Sequence, residues 1–170
     1  MKPILIVKAG STFPSLKQHY GDFEQWIAHG LGDGIPIQVT DALADSPLPE
    51  IADLGGVVIS GSHAMVSDEL PWMRRLVRWL ERAIAPGETL PVLGICFGHQ
   101  LLARLLGGEV ADHPLGMEVG TVALRLTEAA RADALFSGLW QQPWVQMMHR
   151  QSVLSAPPGV QVLASTGHDS

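Results

Sequence analysis

The sequence predicts an α/β fold: an open, three-layer, mostly parallel sheet with an antiparallel β extension. Short apolar runs without polar alternation, such as residues 4–7 and 56–60, are typical of parallel strands covered on both faces. Segments of helical periodicity separate these runs, an order that favours a parallel sheet with helices on its faces. After Gly108 the apolar residues begin to alternate with other types, which indicates half-exposed antiparallel strands.

The first part of the chain supplies three strands and one clear helix. Residues 4–7 form the first strand, and Asp22 can cap a helix over residues 23–29. Residues 35–39 and 56–60 are the second and third strands, because both are short apolar runs bounded by glycine. The carboxyl ends of these parallel strands are where a ligand is expected to bind.

The middle of the chain has two further helices around one more strand. Pro71 begins a helix whose apolar residues recur at helical spacing as far as Ile84. Residues 91–95 are an apolar run that reads as a buried strand. A second helix follows directly and ends at Gly107. The remaining predicted elements are short strands at residues 109–111, 119–126, 144–147 and 159–164, with a helical turn near 130–135.

Length and composition narrow the class of protein. A chain of 170 residues with 46% hydrophobic residues is expected to form a single domain, residues 1–170. The net charge of −6 argues against a general nucleic-acid binder, and no apolar stretch is long enough to span a bilayer. One cysteine cannot make an internal disulfide, which fits a reducing compartment. We therefore predict a cytoplasmic protein that binds neither nucleic acid nor membrane.

The single cysteine lies at a turn between a predicted strand and a predicted helix. Gly94 and Gly98 flank Cys96 at two residues on each side, which is the pattern of a nucleophile elbow. The following helix dipole favours a thiolate, the reactive form of cysteine. The backbone N–H of Phe97 is available in the first helical turn to stabilise an oxyanion. The alternative, a buried structural cysteine, does not explain the paired glycines.

Four blocks of residues, in order along the chain, resemble class I glutamine amidotransferases. Residues 94–103 (GICFGHQLLA) are similar to the family's nucleophile signature, and Ser60-Gly61-Ser62 stands where the family has its oxyanion loop. Residues 116–120 (GMEVG) resemble the segment that precedes the antiparallel strands. Residues 148–153 (MHRQSV) resemble the histidine-containing substrate loop. The resemblance implies a flavodoxin-like sheet and covers the chain from about residue 57 onward.

The resemblance also implies a reaction and a set of site residues. A thiolate attacks the side-chain amide of glutamine, ammonia leaves, and water releases glutamate from a γ-glutamyl thioester. The ammonia passes to an unknown acceptor or a synthetase partner. The implied residues are Cys96 as the nucleophile, Phe97, Gly61 and Ser62 around the oxyanion, and Gln100, His149, Arg150 and Gln151 at the substrate.

The sequence departs from the family at the catalytic base. The family's base is the histidine of a His-Pro-Glu motif, which does not occur in these residues; His168-Asp169 is the nearest pair. We expect the chain to be truncated at its carboxyl end, with enzyme activity conditional on that motif beyond residue 170. Two alternatives stay open: a non-catalytic glutamine-binding or regulatory module, and a cysteine hydrolase of γ-glutamyl or peptide bonds. No cluster has metal-ligand spacing, so neither a metal nor a cofactor is expected.

Overall fold

The computed structural model describes residues 1–87, 90–136, 138–139 and 143–169. The chain divides into two compact units, Met1–Leu105 and Leu106–Ser170. Within the described residues no helix has the length and hydropathy of a bilayer-spanning segment. The two units are described in turn.

The first unit is a parallel sheet with helices. Its sheet has the strand order β2-β1-β3-β4 with every neighbouring pair parallel, which is a flavodoxin-like order and confirms the predicted fold class. The elements in chain order are β1 (Ile4–Lys8), α1 (Pro14–Tyr20), α2 (Phe23–Leu31), β2 (Ile37–Asp41), β3 (Gly56–Ile59), α3 (Pro71–Ala83), β4 (Val92–Gly94) and α4 (Phe97–Leu105).

The core of this unit lies on the two inner strands. Leu5, Ile6 and Val7 of β1 have no exposed surface, and Ile59 of β3 has none either, as continuous apolar runs require. Helix α3 buries its apolar stripe and leaves its arginines outside, because only one face of an amphipathic helix can reach the core. The sheet therefore holds β1, β3 and β4 rigidly side by side, with their carboxyl ends at one edge.

Helix α2 starts where the sequence predicts but packs differently from an ordinary core helix. Asp22 caps it together with Gln25, in a reciprocal capping box. The helix has no fully buried residue, and Trp26 is 40% exposed because its indole N–H donates to the carbonyl of Tyr20 at the helix edge. The aromatic ring of Phe23 meets the edge of Trp26 at a centroid distance of 5.6 Å.

The second unit consists of antiparallel strand pairs, which confirms the predicted extension. The pairs are β5 with β9, β6 with β8, and β7 with β10. The elements are β5 (Glu109–Asp112), β6 (Glu118–Ala123), β7 (Arg125–Leu126), α5 (Glu128–Ala132), β8 (Trp144–His149), β9 (Gln151–Ser155) and β10 (Ala164–Ser165).

Two segments of the second unit differ from the sequence prediction in whether they form a strand. Residues 151–155 form strand β9, because Gln151 and Ser152 are buried where they pair with β5. Residues 159–163, which read as a strand from their apolar alternation, are not one. Val160 and Val162 are 44% and 43% exposed there, and only Ala164–Ser165 pairs with β7. Strand identity here depends on a partner rather than on local pattern.

A buried carboxylate joins the loop after β1 to the start of α2. The side chain of Asp22 is 1% exposed and accepts hydrogen bonds from the N–H groups of Thr12 at 2.8 Å and Phe23 at 2.9 Å. The ammonium groups of Lys8 and Lys17 lie 2.8 and 2.9 Å from the same carboxylate. Burial alone raises the pKa of Asp22, but the hydrogen bonds from Lys8, Thr12, Lys17 and Phe23 outweigh it and hold that pKa well below its usual range.

We predict that Asp22→Asn lowers the free energy of unfolding at pH 7 by about 3 kcal/mol, because it removes a buried carboxylate that Lys8 and Lys17 both contact and leaves Lys8 with Glu24 alone. The folded pKa of Asp22 is below the unfolded one. Its stabilisation is therefore complete above the unfolded pKa of about 3.9 and is lost as the pH falls towards the folded value. Urea unfolding at several pH values measures this: the gap between wild type and variant should narrow below pH 4. Asp33→Asn, at an exposed loop position, is the control; an equal loss there contradicts the explanation.

Candidate functional site

Cys96 lies at the tip of the turn between β4 and α4. Its backbone φ is +51°, in the left-handed region that residues other than glycine rarely adopt. Two hydrogen bonds close this turn: the N–H of Ile95 donates to Ile59, and the N–H of Gly98 donates to Ile95. A strained residue at a strand-to-helix turn is the geometry of a nucleophile elbow, which exposes the side chain at the end of the sheet.

The two flanking glycines are required by close packing. A Cβ atom on Gly94 would overlap the carbonyl group of Gly98. A Cβ atom on Gly98 would lie 2.5 Å from the carbonyl oxygen of Ile59 and 2.8 Å from its Cβ. Real Cβ atoms do not approach that closely, so helix α4 can sit against β3 only because both positions are glycine.

The loop after β3 lies beside Cys96. A Cβ atom on Gly61 would be 3.8 Å from the Cβ of Cys96. Ser60 has no exposed surface; its hydroxyl accepts from the N–H of Ala9 and donates to the carbonyl of Gly61, both at 2.9 Å. The loops after β1 and β3 are thereby tied together next to Cys96. Gly10 packs so tightly on the second loop that its Cβ would lie 2.9 Å from the Cα of Ser62.

The thiol of Cys96 is poorly suited to ionise by itself. The residue is exposed, but the protein around the sulfur partly desolvates it, and this burial raises the pKa of the Cys96 thiol above its ordinary value. A hydrogen bond from the backbone N–H of Phe97 acts in the opposite direction and is the weaker of the two. Burial therefore works against the thiolate that the sequence led us to expect at the start of helix α4.

Helix α4 carries two other predicted site residues. The N–H of Gln100 donates to the carbonyl of Cys96 at 3.0 Å, and its side chain is 7% exposed. Phe97 is 1% exposed and packs against Trp72 with ring centroids 5.5 Å apart. The first unit thus brings together Cys96, Phe97, Gly61 and Gln100 at the end of its sheet.

The remaining predicted residues lie in the second unit, where β8 meets β9. The Nε of Arg150 is 2.9 Å from Asp112, and this pairing lowers the pKa of the Asp112 carboxyl. Gln151 is 3% exposed, and its amide donates to Asp112 at 3.2 Å. The Nε2 of His149 is 3.0 Å from a carboxylate oxygen of Glu118. Glu118 lies in the block of residues 116–120 that resembles the family. Its contact with His149 joins residues 31 positions apart, so no short sequence pattern could have predicted it.

Comparisons of this chain with known protein families and sequences all indicate the same family. The glutamine amidotransferase class-I family matches residues 16–170. A glutamine amidotransferase-like protein of Schizosaccharomyces pombe is 24% identical over 176 residues, covering 96% of this chain and 69% of the relative. The glutamine-hydrolysing GMP synthase of Saccharolobus solfataricus has a separate subunit that is 32% identical over 122 residues. That match covers 72% of this chain and 60% of the relative.

Solved structures agree with these sequence matches. The crystal structure of a glutamine amidotransferase from Methylobacillus flagellatus superposes with a TM-score of 0.76 at 31% identity. The match covers 99% of this chain and 63% of that one, so the chain spans about two thirds of the length of this relative.

We predict that Gly98→Ala lowers the free energy of unfolding by about 1–3 kcal/mol, because the added Cβ collides with the backbone of Ile59. Gly30→Ala in helix α2 is the matched control, since nothing lies within 4 Å of its added Cβ. Alanine there should stabilise the helix by about 0.5–1 kcal/mol. Urea unfolding of both variants measures the difference, and similar values for the two would contradict the packing argument.

We also predict that Cys96 alkylates slowly at neutral pH. Because its pKa is raised, the rate with iodoacetamide should keep rising as the pH passes the ordinary thiol value of about 8.5. Glutathione in the same buffers provides the reference thiol. A rate that is already at its plateau near pH 7 would show that the thiol is ionised and that the stated balance of burial and hydrogen bonding is incorrect.

Proposed function

We propose, because the chain belongs to the glutamine amidotransferase class-I family, that it releases ammonia from glutamine with Cys96 as the nucleophile. The observation that carries this proposal is the left-handed Cys96 at the β4–α4 turn, with the Gly61 loop beside it. A non-glycine residue is kept in that strained conformation where the chemistry needs an exposed side chain.

The proposed reaction proceeds in two halves. The Cys96 sulfur attacks the side-chain amide carbon of glutamine, and the carbonyl electrons move to oxygen. The N–H of Phe97 and those of Gly61 and Ser62 stabilise this oxyanion, at about 3 kcal/mol for each well-placed donor. The C–N bond then breaks and ammonia leaves with a proton, which gives a γ-glutamyl thioester. Water attacks the thioester, so that glutamine and water become glutamate and ammonia.

The first half requires a base, because the pKa of the Cys96 thiol is raised. In this family the base is the histidine of a His-Pro-Glu motif, and none of the seven histidines of this sequence is followed by Pro-Glu. The proposal therefore assigns the nucleophile to Cys96 and assigns the base to none of these seven histidines.

The substrate contacts are assigned to two places. Gln100, on the first turns of α4, lines the pocket for the glutamine side chain. The loop of His149, Arg150 and Gln151 receives the α-amino and α-carboxylate groups of glutamine, mainly through its backbone. The side chains of Arg150 and Gln151 already contact Asp112. This supports a role for the backbone of the loop, rather than for these two side chains, in binding glutamine.

The ammonia is proposed to pass to a partner that carries a synthetase activity. Support comes from one relative, which is a separate subunit of a glutamine-hydrolysing GMP synthase. The chemical identity of the acceptor is left open by this proposal.

We predict that a diazo-ketone analogue of glutamine forms a single covalent adduct on Cys96. Intact-mass and peptide mass spectrometry of the full-length protein measure the adduct, and excess glutamine should prevent it. Cys96→Ser should form no adduct and should lose at least about 1,000-fold of the glutaminase rate, since a nucleophile is removed. Circular dichroism of the variant checks that it is folded. Labelling elsewhere, or unchanged turnover in Cys96→Ser, would refute the role of Cys96.

Two further measurements on the same protein distinguish the proposed glutaminase from the two alternative functions. Calorimetric binding of glutamine without release of ammonia would favour a glutamine-binding or regulatory module. Faster cleavage of γ-glutamyl peptides than of glutamine would favour a cysteine hydrolase. Both measurements use the full-length protein, so that a missing base does not imitate the first result.

A further inference from the structure

The second unit gathers five side chains that can bind a metal ion. They are His113, Glu118, His149, His168 and Asp169. Within the described part of the chain these residues make two groups of potential ligands, Glu118 with His149 and Asp169, and His113 with His168 and Asp169. In each group the ligand atoms lie within 4.8 Å of one another, and Asp169 belongs to both.

The distances in the first group suit a small divalent ion. The Nε2 of His149 is 3.0 Å from Glu118 Oε2 and 3.7 Å from Asp169 Oδ2. A tetrahedral zinc ion with bonds of about 2.0–2.1 Å separates neighbouring ligand atoms by about 3.3 Å. The two distances from His149 are each within about 0.4 Å of that value, and all three ligand atoms lie within 4.8 Å of one another.

The imidazole of His149 is oriented as a metal ligand is. Its Nδ1 lies 3.1 Å from the carbonyl oxygen of Gln151, so this nitrogen carries the hydrogen and donates it. The Nε2 lone pair then faces the oxygens of Glu118 and Asp169. Lone pairs so close together repel unless a proton or a cation lies between them. A backbone carbonyl that holds the second ring nitrogen is the usual support of a metal-binding histidine.

His168 supplies an independent indication of an absent ligand. Both of its ring nitrogens are buried, and within the described residues neither has a hydrogen-bond partner. Its Nδ1 is 3.7 Å from Asp169 Oδ1, and its ring stacks on His113 with centroids 3.9 Å apart. A buried polar atom without a partner costs about 1–3 kcal/mol, and a bound cation at Asp169 would remove that cost.

The charge of the site also favours a divalent cation. The side chains of Glu118 and His149 are only 8% and 10% exposed, so solvent screens them weakly. Two carboxylates around a neutral imidazole carry two negative charges, which one divalent ion balances. A single proton on His149 balances only half of them.

We propose that the second unit binds one divalent transition-metal ion of the Zn²⁺ class through Glu118, His149 and Asp169. Imidazole and carboxylate together suit such an ion better than Mg²⁺ or Ca²⁺, which take oxygen ligands. The site lies in Leu106–Ser170, whereas Cys96 lies in the first unit. The ion anchors the chain near Asp169 to strands β6 and β8, which carry Glu118 and His149.

The test is zinc binding by the whole chain. After dialysis against a chelator, Zn²⁺ is added, excess ion is removed, and the bound metal is measured by elemental mass spectrometry and titration calorimetry. We expect one ion per chain and a higher melting temperature with zinc. Glu118→Gln and Asp169→Asn should each weaken binding by at least about 100-fold, since each removes a ligand. His29→Ala and Asp33→Asn, at exposed positions in the first unit, should change nothing.

Cobalt substitution tests the wild-type protein directly, so a variant that fails to fold does not decide the result. Bound Co²⁺ should give the intense visible absorption of tetrahedral coordination, and Zn²⁺ should displace it. A spectrum that stays like aqueous Co²⁺, no retained zinc, or zinc retained equally by folded Asp169→Asn would overturn the proposal. The five residues would then be an ion-pair network around a protonated His149. None of these measurements depends on glutaminase activity.

Discussion

The contact between Gly98 and the backbone of Ile59 is the constraint on which the site depends. A Cβ atom at Gly98 would lie 2.5 Å from the Ile59 carbonyl oxygen. Helix α4 can therefore approach strand β3 this closely only with glycine at position 98. Within the same turn Cys96 adopts a left-handed conformation. The same approach puts the Cys96 side chain next to the Gly61 loop at the end of β3.

The parallel sheet converts this local contact into a site. Strands β1, β3 and β4 are neighbours, so the loops that follow them meet at one edge. Ser60 ties two of these loops together from inside the core, and Asp22 fixes the first loop to helix α2. Cys96 and the Gly61 loop, the proposed nucleophile and oxyanion donors, are therefore held by buried polar groups, and such preorganisation is what the proposed chemistry requires.

In the second unit, charged and polar side chains form contacts between the ends of the strands. Its strands are short, and polar side chains hold their junctions: Arg150 and Gln151 with Asp112, and His149 with Glu118. The Arg150 pair is exposed and contributes little stability by itself. The His149 group is nearly buried, and its unbalanced charge is the physical reason for expecting a cation there. The proposed metal site lies within the second unit, and His149 belongs both to it and to the loop that is proposed to receive glutamine.

The sequence by itself determined the parallel sheet, helices α2, α3 and α4 and the turn at Cys96, because these depend on local features; helix α1 was not among its predictions. Continuous apolar runs, a capping aspartate and glycines two residues from a cysteine can be read within a few positions of the chain. Tertiary structure alone decided the raised pKa of Cys96, the network of donors around Asp22, the strand at residues 151–155 and the cluster around Asp169. Each of these joins residues far apart in the chain; Glu118 and His149 are separated by 31 positions. Such contacts arise only when strands pair, so no spacing in the sequence could reveal them.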